Sequence, residues 1–282
     1  NVGKSTVFNA LTGMNQHTGN WPGKTVASAQ GRHVYREQGY IIVDLPGTYS
    51  LMAHSAEEEV ARNFICFGGA DATVVGCDAT CLERNLNLVL QAIEITPRVI
   101  VCVNLMDEAK RKGIQINLNR LEEMLGVPVV GASARSGKGL ESLSEQISRS
   151  VNGETSKAPI KIVYTAPIEE ALQTLTPVVE EKLISLEKPI SSRWVALQLL
   201  EADEGLHQPL TDYLEFDLFQ DEAIQKTLAG LSDVFERYGL PPARLQDKVV
   251  SCLVRTAERI YRGAVSCQRS DYNAWDRRLD KL

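Results

Sequence analysis

Six residues at the start of the chain have the types and spacing of a phosphate-binding loop: Asn1-Val2-Gly3-Lys4-Ser5-Thr6. They match the second half of the pattern G-x-x-x-x-G-K-[ST], in which backbone N–H groups and a lysine surround phosphates and the hydroxyl ligates Mg²⁺. The run predicts a nucleoside triphosphate as ligand, with Lys4 on the phosphates and Ser5 on the metal. Because the first glycine and its strand are expected before Asn1, we interpret the chain as a fragment.

Three further motifs follow in the order that GTP-binding proteins require. Asp44-Leu45-Pro46-Gly47 fits D-x-x-G, in which the aspartate holds the Mg²⁺ shell through water and the glycine N–H meets the γ-phosphate. Asn104-Leu105-Met106-Asp107 fits N-x-x-D, whose carboxylate accepts hydrogen bonds from the guanine N1–H and amino group. Gly131-Ala132-Ser133-Ala134 resembles the loop whose backbone N–H contacts the guanine oxygen. Singly, each motif has a structural explanation as a turn former, strand terminator or helix cap. Jointly they favour GTP and GDP as ligands.

Two departures from the common GTPase pattern predict weak binding and slow chemistry. Leu105 replaces the lysine of N-K-x-D, so GTP affinity is expected to be lower than in tight-binding switch proteins. Thr48 stands where a glutamine often orients the attacking water, and its side chain is too short for that task. Asn1 is a candidate K⁺ ligand that would supply positive charge instead. In the loop between the first helix and the next strand, Thr25 is the candidate second Mg²⁺ ligand.

Composition limits the class of protein. The chain has 282 residues, 44% hydrophobic and 23% charged, with a net charge of -6, which argues against a nucleic-acid partner. Its six cysteines form no C-x-x-C pair, so reduced thiols are expected, with Cys77 and Cys102 as small core residues. No signal peptide or apolar run of membrane-spanning length is visible, which indicates a cytosolic polypeptide.

The order of apolar runs predicts an α/β P-loop domain with a doubly wound sheet over residues 1–153. Expected buried strands of one parallel sheet are 40–43, 72–75, 98–103 and 127–130, and expected helices are 4–11, 82–95 and 118–125. Residues 153–159 read as a linker. Beyond it, helical periodicity predicts an all-α domain over 154–265, with apolar stripes at 168–183 and 250–261. Basic and aromatic residues in 266–282 are typical of a juxtamembrane segment.

One string in the mobile loop is distinctive: Gly19-Asn20-Trp21-Pro22-Gly23-Lys24-Thr25-Val26. With Asp44–Leu51, Asp78-Ala79-Thr80 and Asn104–Asp107, it resembles the cytosolic N-terminal region of FeoB, the ferrous iron transport proteins of bacteria. The resemblance implies K⁺ ligation by Asn1 and by the backbone of Gly19 and Trp21. It also implies Mg²⁺ binding by Ser5, Thr25 and Asp44. Lys24 stands where the family has an apolar residue. The assignment of this segment as the switch loop is unaffected, but its exact conformation does not follow from the resemblance.

The resemblance also implies partners and a location. A polytopic membrane domain that carries Fe²⁺ is expected after the helical domain, which is thought to favour GDP binding. Small accessory iron-transport proteins and a homo-oligomer are further expected partners, and the expected location is the cytoplasmic face of the bacterial inner membrane. Expected nucleotide contacts are Asn1, Val2, Gly3, Lys4, Ser5, Thr6, Gly23, Lys24, Thr25, Asp44, Gly47, Asn104, Asp107, Ser133 and Ala134. Asn1, Lys4, Thr25 and Gly47 are the candidate catalytic residues.

Two other classes of function remain open on the sequence. A soluble ribosome- or tRNA-associated GTPase shares the Asn-Val-Gly-Lys-Ser string, but such proteins usually append a basic RNA-binding module, and residues 154–282 show no basic excess. The other class is an interaction module that binds nucleotide without turning it over. A turnover assay separates that module from an enzyme.

Overall fold

The computed structural model describes residues 2–13, 16–20, 27–52, 55–154 and 157–267. In the first half, the strands are β1 (Gln16–Asn20), β2 (Ala27–Tyr35), β3 (Gln38–Asp44), β4 (Thr73–Asp78), β5 (Val99–Asn104), β6 (Ile114–Ile116) and β7 (Val129–Gly131). The helices of this half are α1 (Lys4–Thr12), α2 (Ala56–Phe67), α3 (Leu82–Ile95), α4 (Met106–Arg111), α5 (Leu118–Leu125) and α6 (Leu140–Val151).

The parallel sheet has the order β4-β5-β7, and its central strand β5 is buried along its whole length. A strand covered on both faces reads as a continuous apolar run, as Val99–Val103 does. Cys77 and Cys102 are both fully buried in this sheet, as predicted, and burial raises the pKa of each thiol. The carboxyl ends of β4 and β5 therefore meet at one edge, where Asp78 pairs with Asn104.

Residues 40–43 form a strand as predicted, but the prediction that this strand belongs to the parallel sheet is wrong. β3 belongs to a separate antiparallel sheet of order β1-β2-β3. A two-residue turn at Arg36 and Glu37, both at positive φ, joins β2 to β3 and imposes the antiparallel direction. Successive side chains of β3 face opposite sides, so Tyr40 is buried while Ile41 is 68% exposed.

The second half is helical, as predicted. It contains α7 (Ala166–Ser185), α8 (Ser192–Glu201), α9 (Glu204–Leu214), α10 (Glu222–Gly230), α11 (Ser232–Arg237) and α12 (Leu245–Ala264). The apolar stripe predicted for α7 is buried from Ile168 to Leu183. On α12 the prediction is partly wrong, because Val250 and Val254 are exposed and the buried stripe runs through Val249, Leu253, Ala257 and Ile260.

The helical half is attached to the first half at both of its ends. Ile160 N–H donates to Leu125 O (2.8 Å) just after the predicted linker. At the other end, β8 (Val265–Cys267) pairs with β6, and Asn117 N–H donates to Ala264 O (2.8 Å). The predicted boundaries at 153 and 265 stay predictions, but the chain returns to the first half as soon as α12 ends. Within the described residues, no helix is long and apolar enough to cross a membrane.

Candidate functional site

The phosphate-binding loop precedes α1 in a conformation that requires glycine. Gly3 has φ 74° and forms the N-cap of α1, and a Cβ at this position would lie 2.5 Å from Asn104 Nδ2. Val7 N–H donates to Gly3 O (3.0 Å) and so begins the helix, whose first turn carries no acidic residue. Ser5 and Thr6 are exposed in that turn. The arrangement fits an anion at the helix N-terminus.

Lys4 and Asp44 form an ion pair between the phosphate loop and the D-x-x-G motif. Lys4 Nζ donates to Asp44 Oδ1, and the Asp44 side chain is 17% exposed at the end of β3. The pair places the predicted phosphate ligand beside the predicted Mg²⁺ ligand. A carboxylate and the Ser5 hydroxyl are hard oxygen donors of the kind that Mg²⁺ prefers, so the residues present fit this ion.

Asn104 connects three of the predicted motifs. Its side chain is buried: Nδ2 donates to Val2 O (3.1 Å), and Oδ1 accepts from Ala134 N–H (3.0 Å). The first bond reaches the phosphate loop and the second reaches the loop predicted to contact the guanine oxygen. The sequence therefore placed these motifs correctly at one edge of the sheet, and a single amide holds them together.

Asp107 is positioned by the same loop. Ser133 Oγ accepts from Asp107 N–H (3.2 Å), and Met106 N–H donates to Ala132 O (3.1 Å). The hydrogen bond of Ser133 to the carboxylate holds the pKa of Asp107 below its ordinary value. The exposed carboxylate is therefore an ionised acceptor at neutral pH, as a guanine contact through two N–H donors requires.

The segment after Asp44 is held from two sides. Thr48 Oγ1 lies 2.5 Å from Ser50 O and 3.2 Å from Glu58 Oε1, so its hydroxyl is engaged within the loop. Leu51 N–H donates to Gln91 Oε1 of α3 (2.5 Å). Sequence reasoning missed Gln91. The available signal was a polar residue within the apolar sequence of α3.

A cavity of about 650 Å³ adjoins these loops. It is lined by the phosphate loop from Val2 to Thr6, by Leu45–Tyr49 and by the β4 edge from Thr73 to Gly76. Gly47, predicted to meet the γ-phosphate, has no atom within 4 Å of an added Cβ. The cavity is therefore open at the place where the predicted phosphate contacts converge.

Several predicted ligands lie outside the described residues: Asn1, Trp21, Gly23, Lys24 and Thr25. Gly19 lies in β1, where it pairs with Ser28. Among the described residues no group of three or more His, Cys, Asp or Glu side chains is arranged to hold a metal ion.

Sequence reasoning also missed a contact between the two halves of the chain. Arg62 of α2 is 1% exposed, and its Nη1 lies 2.7 Å from Asp203 Oδ2. Arg62 Nη2 also donates to Gly205 O (3.0 Å), and the rings of Phe67 and Tyr213 lie 5.0 Å apart. The helix that follows D-x-x-G is therefore fixed to the helical half.

The sheet and the loops at its carboxyl edge define a P-loop GTPase domain joined to a helical domain. The family described as "Ferrous iron transport protein B" matches residues 1–147, and the "FeoB cytosolic helical domain" matches residues 164–266. This chain belongs to the FeoB family.

Relatives and solved structures agree with this assignment. The "Fe(2+) transporter FeoB" of Escherichia coli K12 is 36% identical over 209 residues, covering 72% of this chain and 26% of that protein. A fusion of "Fe(2+) transport protein A" with FeoB from Porphyromonas gingivalis is 35% identical over 210 residues, covering 74% of this chain and 25% of that protein. A GDP-bound variant of the S. thermophilus FeoB G-domain superposes with TM-score 0.78 at 30% identity, covering 94% of this chain and 96% of that one. The chain thus spans about a quarter of the length of these curated relatives.

Proposed function

We propose that this chain binds GTP and hydrolyses it slowly to GDP and phosphate, and that the cycle regulates Fe²⁺ uptake. The observation that carries the proposal is Asn104, whose amide joins the phosphate loop at Val2 to the guanine loop at Ala134. A site that ties phosphate recognition to base recognition suits a guanine nucleotide. The GDP-bound S. thermophilus relative supports the same ligand.

Each residue has a proposed task at the nucleotide. Lys4 leaves Asp44 to bind the β- and γ-phosphates, while Ser5, Thr25 and Asp44 hold Mg²⁺, which neutralises phosphate charge. The N–H of Gly47 meets the γ-phosphate, and the first-turn amides of α1, with Val2, Gly3 and Thr6, line the phosphates. Asp107 accepts from the guanine N1–H and amino group, next to Ser133 and Ala134. Gly23 and Lys24 belong to the switch loop that carries Thr25.

K⁺ is the proposed source of the positive charge that speeds hydrolysis. Thr48 is engaged by Ser50 and Glu58, so another group must stabilise the charge that develops on the phosphates. Asn1 and the backbone of Gly19 and Trp21 are the proposed K⁺ ligands.

The transport role is a proposal based on the family. This chain covers only about a quarter of the length of its curated relatives, so the activity of the whole protein is inferred from them. The proposed partner is the transmembrane domain of the same protein, with this chain on the cytoplasmic face of the bacterial inner membrane. The natural fusion in Porphyromonas gingivalis supports a small accessory iron-transport protein as a second partner. A homo-oligomer is a third.

The helical domain is proposed to slow GDP release. Its contact with α2 through Arg62 and Asp203 supports this role, because α2 follows the D-x-x-G motif directly. Residues 1–153 would then form the GTPase domain, 154–265 the domain that retains GDP, and 266–282 the link to the membrane.

Nucleotide titration and turnover of the full-length protein test the central proposal. We expect GTP and GDP to bind and compete with each other, ATP to bind far more weakly, and GTP to release phosphate. Equal affinity for ATP would refute the assignment of Asp107. Tight GTP binding with no phosphate release would leave a nucleotide-dependent interaction module instead.

A further inference from the structure

A second cavity, of about 310 Å³, lies where the GTPase and helical domains meet. Its walls come from Leu51 in the segment after D-x-x-G and from α3, α8 and α12. Three carboxylates line it: Glu94 from α3, Glu201 from α8 and Asp203 at the N-cap of α9. The cavity therefore brings acidic side chains of both domains into the same volume.

Two arginines of this region are paired with carboxylates other than Glu94 and Glu201. Arg62 of α2 binds Asp203 at the N-cap of α9 (2.7 Å). Arg193 of α8 donates to Glu169 Oε1 of α7 (2.7 Å) and to Ile162 O (3.0 Å). These ion pairs leave the cavity carboxylates Glu94 and Glu201 without a bonded cation among the described residues.

The other charged groups of this region add no bonded cation to Glu94 or Glu201. Lys161 is exposed, and its charge interacts with Glu169. Glu59 of α2 lies near Gly205. The wall from α12 adds the neutral Gln246 and two apolar side chains.

Neutral donors serve the two cavity carboxylates. Tyr164 Oη donates to Glu94, with 2.6 Å to each carboxylate oxygen. Gln198 Nε2 donates to Glu201 Oε2 (3.2 Å), and Glu201 Oε1 is buried without a hydrogen-bond partner among the described residues. Two ionised carboxylates in this volume would each lose hydration and would repel one another. One added proton removes the repulsion and the desolvation cost of one of the two carboxylates.

We propose that Glu94 and Glu201 together bind a proton when the two domains are in contact, and that this proton stabilises the contact. The pair is read as one titrating unit, because interacting carboxylates share their protons. No metal or second ligand is needed, since the proton itself supplies the missing positive charge.

The pKa values of both groups agree with this role. Burial raises the pKa of Glu94 to about 7, against the opposing effects of the Tyr164 hydrogen bond and the Arg193 charge. Burial, with the charges of Glu94 and Asp203, raises the pKa of Glu201 to about 7. Separation of the domains would hydrate both groups and return each pKa towards the ordinary 4.5.

The sign of the pH dependence follows from these directions. The closed arrangement binds more protons than the open one, so its extra stability is fully present below pH 4.5 and is lost as pH rises through about 7. Above that pH the stability of the contact no longer changes with pH through these groups. For one linked proton, the ratio of closed to open molecules changes by up to about tenfold per pH unit.

Helix α3, which carries Glu94, also links the domain contact to the nucleotide site. Gln91 lies one turn before Glu94 on α3 and accepts from Leu51 N–H (2.5 Å) and Ser50 Oγ (3.3 Å). The proton site and the segment after D-x-x-G therefore share one support. Proton binding itself stands independently of the proposed GTP hydrolysis.

Carboxyl titration by ¹³C NMR tests the proton site in the full chain without nucleotide. We expect glutamate signals with midpoints near 7 in the parent protein. Glu94→Gln and Glu201→Gln should each remove such a signal, whereas Glu181→Gln, at an exposed position of α7, should leave them unchanged. If every glutamate of the parent protein titrates at ordinary acidic pH, the proposal is overturned; this measurement needs no variant to fold.

Hydrogen exchange tests the effect on the domain contact. After correction for the intrinsic exchange rate, protection of Leu51 N–H and of α8 should fall as pH rises towards 7 in the parent protein and in Glu181→Gln. Glu201→Gln mimics the protonated group, so its protection should vary less with pH. Neutral-pH titration of the carboxyls with pH-independent protection in the parent would overturn the link between the proton and the contact.

Discussion

The guanidinium of Arg62 lies 2.7 Å from the carboxylate of Asp203, across 141 positions of sequence and between the two domains. Arg62 is buried, and the Asp203 side chain is 26% exposed. A buried ion pair is costly to break on one side, because the remaining charge loses its partner. This pair therefore binds the helix after D-x-x-G firmly to the helical domain.

Arg62→Met is expected to destabilise the protein by about 3 kcal/mol and to speed GDP release. The reason is that α2 loses its ion pair with the helical domain proposed to retain GDP. Stopped-flow release of a fluorescent GDP analogue measures the rate, and chemical unfolding measures the stability. Asp203→Asn is the matched partner change, since its remaining oxygen still accepts from Gly205 N–H to cap α9. Unchanged GDP release in both variants would restrict the ion pair to a structural role.

Asp107→Asn is expected to shift preference from guanine to xanthine nucleotides. The amide cannot accept from both guanine donors, and xanthine presents a carbonyl that the amide N–H₂ can bind. Competition titration of GDP against xanthosine diphosphate in the full-length protein measures the preference. Glu108→Gln, on the following residue, is the control. Retained guanine selectivity in Asp107→Asn would remove this carboxylate from base recognition.

Lys4→Ala and Ser5→Ala are expected to abolish GTP turnover while leaving the helical content unchanged. Their side chains meet phosphate and metal rather than the core: Ser5 is exposed and Lys4 binds Asp44. Phosphate release and far-ultraviolet circular dichroism on the same samples measure the two quantities. A lost helical signal in either variant would show that the fold, and not the chemistry, had failed.

Turnover is expected to be faster in KCl than in NaCl at equal ionic strength. A cation placed where charge develops lowers the barrier more than it strengthens ground-state binding, so GTP affinity should change less than the rate. Asn1→Ala should erase the difference between the salts. Equal rates for the parent protein in both salts, with Mg²⁺ saturating, would contradict the potassium mechanism.

Local sequence signals predicted some elements to the residue. The helix expected at 118–125 is α5, because Asn117 accepts from Arg120 N–H at its start and Gly126 takes a positive φ at its end. These caps are the residue types that a helix boundary favours. Three of the motifs also lie at strand ends as predicted, since β3 ends at Asp44, β5 at Asn104 and β7 at Gly131.

Other features had no local signal. The turn between β2 and β3 places Arg36 and Glu37 at positive φ, where Asn and Gly are the usual indicators, so the hairpin was not predicted. The pairing of Arg62 with Asp203 depends on how two domains meet. Composition and periodicity do not contain that information. The same holds for Glu94 and Glu201, each an ordinary polar residue on an amphipathic helix.

The attachment of both ends of the helical domain to α5 has a mechanical consequence. Leu125 O, at the end of α5, holds the entry to the helical domain through Ile160, and Asn117 N–H, at its start, holds the exit through Ala264. The chain therefore enters and leaves the helical domain beside the same short helix, α5. A force applied through residues 268–282 would act first on β8 and its partner β6. Strand β6 directly follows α4, the helix that carries Asp107 of the guanine-recognition motif.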